Sequence, residues 1–329
     1  MALLVWGSLC GWAQGVADVH SHNVLALYTD FLDSHDALLE EGFPIPAWSV
    51  EAHLRTMDEA GIAWSVLSMP APQPYFGDVA ESRRVIRAYN EATAAVSRRY
   101  PDRFKFCASL PLPDVDAAIE EAVYALDTLH ADGVKLATNS RGQYLGDAAL
   151  DPLMAVLDER HAVVILHPHK PSPFADSLMR LVPLAAYEYP AETTRAVVAM
   201  LSRNVPARYP NIRFVVPHGG SFLPLAIPRM KRILEVMRQA GMAMEVDWEG
   251  NLQNLYYDLA GGVSPEVLRL LLSVAPPSHL LFGSDYPYVG QAGVSAAVGA
   301  LRTVLASNPD CASMVEGIMK DNASRLFGE

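Results

Sequence analysis

A chain of 329 residues, 51% hydrophobic and 19% charged, has enough apolar material for a large core and can be two ordinary domains or one α/β barrel. Its formal net charge of −12 and pI near 5.3 argue against nucleic acid or an anionic membrane as its main partner. Cys10, Cys107 and Cys311 are far apart and show no C-x-x-C spacing, so they read as free thiols rather than a disulfide framework.

Residues 1–15 form an N-terminal extension or a signal-like segment. The run M-A-L-L-V-W-G-S-L-C is apolar, and Gly11 and Ala13 stand at −3 and −1 of a possible cleavage site. No Lys or Arg precedes Arg55, so the positive region of a signal is missing, and the run is too short to span a bilayer. Removal of residues 1–13 would leave the first strand intact and would place the protein outside the cytoplasm.

From residue 16 to 329 the chain reads as a single domain. Short apolar or β-branched runs at 16–20, 62–68, 104–110, 133–137, 163–167, 212–218, 255–259 and 280–284 read as strands. Helical patterns fill the connections at 50–60, 78–100, 114–131, 147–160, 191–209, 223–239 and 265–274, with two more at 295–306 and 311–327. Several open on a cap or a first-turn proline, such as Ser264-Pro265. Eight near-continuous apolar strands, each followed by a helix, predict a (β/α)8 TIM barrel. Residues 23–47, after the first strand, form a long polar segment that reads as a lid. Residues 169–190 form a second irregular stretch, and both would lie on the C-terminal face, where barrel enzymes place their chemistry.

The polar residues gather at that face. V-A-D-V-H-S-H ends the first strand with His20 and His22 on one side of the backbone. V-V-I-L-H-P-H ends the fifth with His167, and His169 follows two residues later. The sixth ends in His218, and the eighth, L-L-F-G-S-D-Y-P, in Asp285. Each alone has a plain structural explanation: a histidine after a buried strand is often a satisfied turn residue, and an aspartate before Tyr-Pro is often a turn or cap. Their convergence at one end of one barrel favours a metal site, because neutral imidazoles with one carboxylate suit a divalent transition metal.

These residues carry a family resemblance. Together with M-D-E-A-G-I-A-W-S-V-L-S, G-V-K-L, Y-P-N-I-R-F-V-V-P-H-G-G and Y-Y-D-L-A, they appear in family order from Val16 to Phe327. The chain resembles the metal-dependent hydrolase superfamily, specifically the amidohydrolase-2 (amidohydrolase-related) branch that includes aminocarboxymuconate semialdehyde decarboxylase. The resemblance implies that His20, His22, His167 and Asp285 bind one divalent metal, with zinc first and manganese, iron or cobalt as alternatives. It makes His218 the nearby acid/base and gives Asp285 a catalytic role beside its ligand role. Asp18 would orient a ligand or the strand end. It also implies a homodimer and a cytoplasmic setting.

The chemistry common to the branch starts from a metal-activated water. Two reactions follow. Non-oxidative decarboxylation of a small aromatic or unsaturated carboxylic acid is placed first, and hydrolysis of an amide, ester or lactone second. A catalytically silent metal-binding barrel is the reading from another class. The decarboxylases of the branch hold substrate carboxylates with cations from the loop after strand 1. Here residues 23–54 contain no Lys or Arg, which argues against a dianionic muconate substrate. Arg141, His169 and Lys170 are the candidate substrate-binding polar residues. Tyr28, Phe31, Trp48 and Phe174 are candidates for an aromatic wall. His35, His53, His130, His161 and His279 are assigned structural places in the lid or at barrel surfaces.

Overall fold

The computed structural model describes residues 15–174, 182–242 and 245–328. The signal-like segment, with Cys10, lies outside the described residues, as does part of the irregular stretch after the fifth strand. Eight strands form the main sheet in chain order: β1 (Val16–His22), β2 (Ile62–Ser68), β3 (Phe104–Ser109), β4 (Gly133–Ala137), β5 (Val163–His167), β6 (Arg213–Val216), β7 (Leu255–Asp258) and β8 (Leu280–Leu281). Every neighbouring pair is parallel. The sheet closes on itself where Val19 N–H donates to Phe282 O at 3.0 Å and His22 N–H to Tyr286 O at 2.7 Å. This is the TIM barrel expected from the sequence.

The period of two along each strand sorts residues between the barrel lumen and the helical layer. Val134 and Leu136, Val164 and Leu166, and Leu255 and Tyr257 pack outward in the large core shared with the helices. Val163, Ile165, Val215 and Leu281 belong to the inner cluster, which Ala323 and Phe327 join from the C-terminal end of the chain. Residues of the inner parity therefore enter the lumen, and these include Lys135 on β4, His167 on β5 and Asp258 on β7. Cys107 and Cys311 are buried and unpaired.

Several boundaries differ from the sequence reading. β6 stops at Val216, because Pro217 lacks a donor and His218 (φ 56°) and Gly219 (φ 62°) turn left-handed. β8 covers only Leu280–Leu281. The helix predicted at 191–209 begins earlier and is split into Glu188–Ser202 and Val205–Arg208, with Asn204 at φ 54° between them. The one predicted at 311–327 is broken into a 3-10 turn, Ala312–Met314, a π-helical turn, Gly317–Asp321, and a short α-helix, Asn322–Leu326. The lid after β1 contains a helix, Ala26–Asp33, whose Tyr28 and Leu32 are buried. Among the described residues, no helix is long and apolar enough to cross a membrane.

Candidate metal and active site

β1 leaves the barrel carrying two imidazoles, and β5 and the β8 turn bring the other two groups to them. The candidate ligand atoms of His20, His22, His167 and Asp285 all lie within 4.8 Å of one another. Asp285 Oδ1 is 3.3 Å from His22 Nε2 and 3.6 Å from His20 Nε2. Ligands on a tetrahedron with metal–nitrogen bonds of ~2.1 Å would stand about 3.4 Å apart, so the spacing fits a single small divalent ion.

The imidazoles are also oriented for it. His20 Nδ1 is 3.0 Å from Asp258 Oδ2, His22 Nδ1 is 3.2 Å from Ser68 Oγ, and His167 Nδ1 is 2.9 Å from the Pro168 carbonyl oxygen. Donation from Nδ1 in each ring leaves the Nε2 lone pair directed at the cluster. His20 Nε2 and His22 Nε2 are buried and have no hydrogen-bond partner. Orphaned acceptors are costly inside a protein, and a bound cation would satisfy both.

The local field agrees. Burial opposes a charge on His20, but Asp258, Asp285 and Asp18 overcome it and lift the imidazole to about 9. The same carboxylates favour a bound cation. Burial pushes His22 and His167 down, which favours the neutral imidazole that a metal ligand must be. Burial would raise Asp285 too, but His22 and His20 hold it below the ordinary carboxylate range.

Asp18 braces the strand end rather than a ring. Its carboxylate accepts from Ser284 N at 2.9 Å, Ser284 Oγ at 2.7 Å, Ser65 Oγ at 3.1 Å and His20 N at 3.2 Å, tying the β8 turn to β1 and β2. The carboxylate that orients an imidazole is Asp258, which the sequence reading left without a role. Its signal was present: Y-Y-D-L-A ends an apolar strand in an acid, as L-L-F-G-S-D does. Replacing Asp258 by Asn keeps the shape but removes the charge behind His20, and metal affinity is expected to fall by roughly 10–100-fold. Competition titration with a chromophoric chelator measures this.

His218 and Asp285 stand together at the cavity that opens above the cluster. Both are left-handed non-glycine residues, at φ 56° and φ 59°. Such backbones are uncommon and concentrate at functional sites. His218 N–H donates to Asp258 Oδ1 at 3.2 Å, and its ring centre is 5.1 Å from that of His20. Its Nδ1 is buried without a partner, and burial, reinforced by His20, lowers its basicity. The cavity holds about 350 Å3 and is walled by Phe43, Ala71, Pro183, Ala185, Tyr189 and Tyr288, with His167, His218 and Asp285 at its polar end. Among the described residues lining it there is no Lys or Arg.

The candidate substrate-binding residues lie elsewhere. Arg141, His169 and Lys170 line a second, polar cavity of about 260 Å3 with Glu40, Glu41, Gln73 and Phe174. Arg141 is held by Glu40 at 2.8 Å and by the Tyr75 carbonyl. His169 Nε2 is 3.0 Å from Lys135 Nζ, an amine that burial lowers to about 7 against the pull of Glu41. Trp48 lines neither cavity: its indole N–H donates to His53 Nδ1 at 3.2 Å. Tyr28 hydrogen-bonds the Pro72 carbonyl at 2.7 Å, and Phe31 packs on His35 and Phe76. The aromatic wall is made instead by Phe43, Tyr189 and Tyr288. His53 is buried, not at a surface, and burial pushes it down to about 3, so it packs as a neutral ring against Phe104 and Tyr286.

Comparison with known proteins follows the same lines. The amidohydrolase family pattern matches residues 17–328. The chain is 34% identical over 275 residues to 6-methylsalicylic acid decarboxylase of Penicillium expansum, covering 82% of this chain and 84% of the relative. A solved structure named amidohydrolase II superposes with a TM-score of 0.86 at 32% identity, covering 96% of this chain and 100% of that one. A 5-carboxyvanillate decarboxylase of Novosphingobium aromaticivorans, solved with manganese and 4-hydroxy-3-methoxy-5-nitrobenzoic acid, superposes with a TM-score of 0.81 over 97% of each chain. At 17% identity that last likeness shows the fold alone.

Proposed function

The chain belongs to the amidohydrolase family, and from that premise we infer that it is a metal-dependent, non-oxidative decarboxylase of a small hydroxylated aromatic acid. The observation that carries this reading is the polarity of the cavity: an apolar, aromatic-walled space of about 350 Å3 with its catalytic groups confined to one end. A benzene ring with adjacent carboxylate and hydroxyl groups matches it, because its apolar edge meets Phe43, Tyr189 and Tyr288 while its oxygens meet the polar end. Among the described lining residues none is a cation, which suits a monoanion better than a muconate-like dianion. The relative named for 6-methylsalicylic acid points to the same chemical class.

His20, His22, His167 and Asp285 would hold one divalent ion, zinc or manganese in the first instance. When bound, it supplies Lewis-acid polarisation and acidifies a coordinated water. The residues of the chain do the rest. Asp285 takes a proton from water and passes it to the ring carbon that bears the carboxylate, ending the step as the carboxylate it began as. That carbon becomes tetrahedral, its bond to the carboxylate breaks, and the electron pair restores the aromatic ring as carbon dioxide leaves. His218 takes the proton of the substrate hydroxyl as the ring carbon is protonated and returns it to that oxygen as the aromatic ring re-forms. The aromatic wall keeps bulk water from the reacting carbon.

The test is carbon dioxide release and arene formation from a panel of hydroxybenzoates, 6-methylsalicylate included, set against simple lactones and esters. Release from a 2-hydroxybenzoate is the expected result. Turnover confined to lactones or esters would replace this reading with metal-dependent hydrolysis.

A further inference from the structure

The lid segment 40–43, E-E-G-F, lies between the two cavities. Glu40 and Glu41 line the polar one and Phe43 lines the apolar one. Between them Gly42 takes φ 80°, a left-handed turn that a side chain would strain. Glu41 is 4% exposed, although it is a carboxylate on a loop. Its Oε2 accepts from the Lys170 backbone N–H at 2.8 Å and from Tyr189 Oη at 2.9 Å. Lys170 stands after β5, and Tyr189 opens the helix Glu188–Ser202. One carboxylate oxygen therefore joins the lid to two elements on the far side of the barrel mouth. Glu40 adds an ion pair to Arg141 beyond β4. Two residues on, the Phe43 ring meets Tyr189 at 6.0 Å and Tyr288 at 5.6 Å, edge to face in both cases.

Burying a carboxylate against neutral donors costs free energy that a neutral residue would not incur. The surface loop gains in exchange a fixed position for the ring that completes the cavity wall. We propose that Glu41 is a positioning residue for the reaction: it clamps segment 40–43 across the barrel mouth, so that Phe43 closes the aromatic wall over a flat ring. Arg141 and the Lys170 backbone then serve the clamp rather than the substrate. The clamp follows from the contacts alone; the flat ring it closes over rests on the decarboxylase reading.

Hydrogen–deuterium exchange on the metal-loaded full chain separates the two. In Glu41→Ala, exchange across residues 38–46 and at the Lys170 amide is expected to rise by roughly tenfold, the scale of losing an ordinary buried hydrogen bond, with β1 and β5 unchanged. Glu41→Gln, which keeps an acceptor oxygen, is expected to stay near the parent. Should Glu41→Ala not fold, Tyr189→Phe removes one donor without emptying the site and carries the same comparison. Salicylate binding by calorimetry is the second arm: affinity should fall about tenfold in Glu41→Ala and in Phe43→Ala, and recover in Glu41→Gln. Exchange unaffected by Glu41→Ala, or raised equally by Gln and Ala, overturns the clamp. A parent protein that exchanges as expected but binds no salicylate supports the clamp and counts against the aromatic-acid reading.

Discussion

Purified protein is expected to carry about one equivalent of divalent metal per chain, and the His20→Ala, His22→Ala double variant essentially none. The two rings supply neighbouring Nε2 atoms that are buried and unpartnered, and each is oriented from behind by Asp258 or Ser68. Without them only His167 and Asp285 of the cluster remain, and two ligands do not hold a catalytic ion of this kind, which takes about three protein ligands and an open position. Decarboxylation should fall to the uncatalysed background in the same variant, because what is lost is the charge that stabilises oxygen anions in the transition state. Plasma mass spectrometry on parent and variant decides the metal, and its identity with it. A parent that holds no metal and takes up neither added zinc nor manganese would end the mechanism above. Both rings are buried and His20 pairs with the buried Asp258, so metal loss must be read on protein that is still folded. Circular dichroism checks that separately.

Replacing His218 by Gln is expected to leave the metal in place and lower kcat by roughly 10²–10⁴-fold, the usual worth of a positioned general acid or base. The residue lines the cavity but is outside the four-residue metal cluster, so binding and chemistry separate here. Its backbone N–H, which donates to Asp258, persists in the variant, and so does the brace on His20. KM should change far less than kcat, because Gln fills similar space and the aromatic wall is untouched. Steady-state kinetics with metal analysis on the same preparation measures both. Equal loss of metal and activity would instead make His218 a ligand; full activity would remove it from the reaction.

The barrel and the convergence of His20, His22, His167 and Asp285 were legible in the chain because their signals are local. Each strand buried on both faces is a short apolar run, and each candidate ligand stands at or just beyond the end of such a run. His20, His22, His167 and Asp285 could therefore be named from strand ends without knowing what touches what. The placements that the sequence did not specify depended on which loops meet. Arg141, His169 and Lys170 sit on the mouth of the barrel, as their positions after β4 and β5 required, yet they line a cavity separate from the metal-site one. Trp48 has the composition of a pocket residue and packs on His53 instead.

Periodicity and strand-end chemistry thus specified the eightfold alternation and the set of His and Asp side chains that meet at its mouth, since each is written within a few neighbouring residues. Barrel closure alone assigned Asp258 to His20 across 238 residues, set Glu41 against Tyr189 across 148, and made Phe43 a wall of the cavity. Register and loop packing choose such partners. A buried polar group takes whichever donor or acceptor the closed barrel brings within about 3 Å, and no local pattern encodes that meeting.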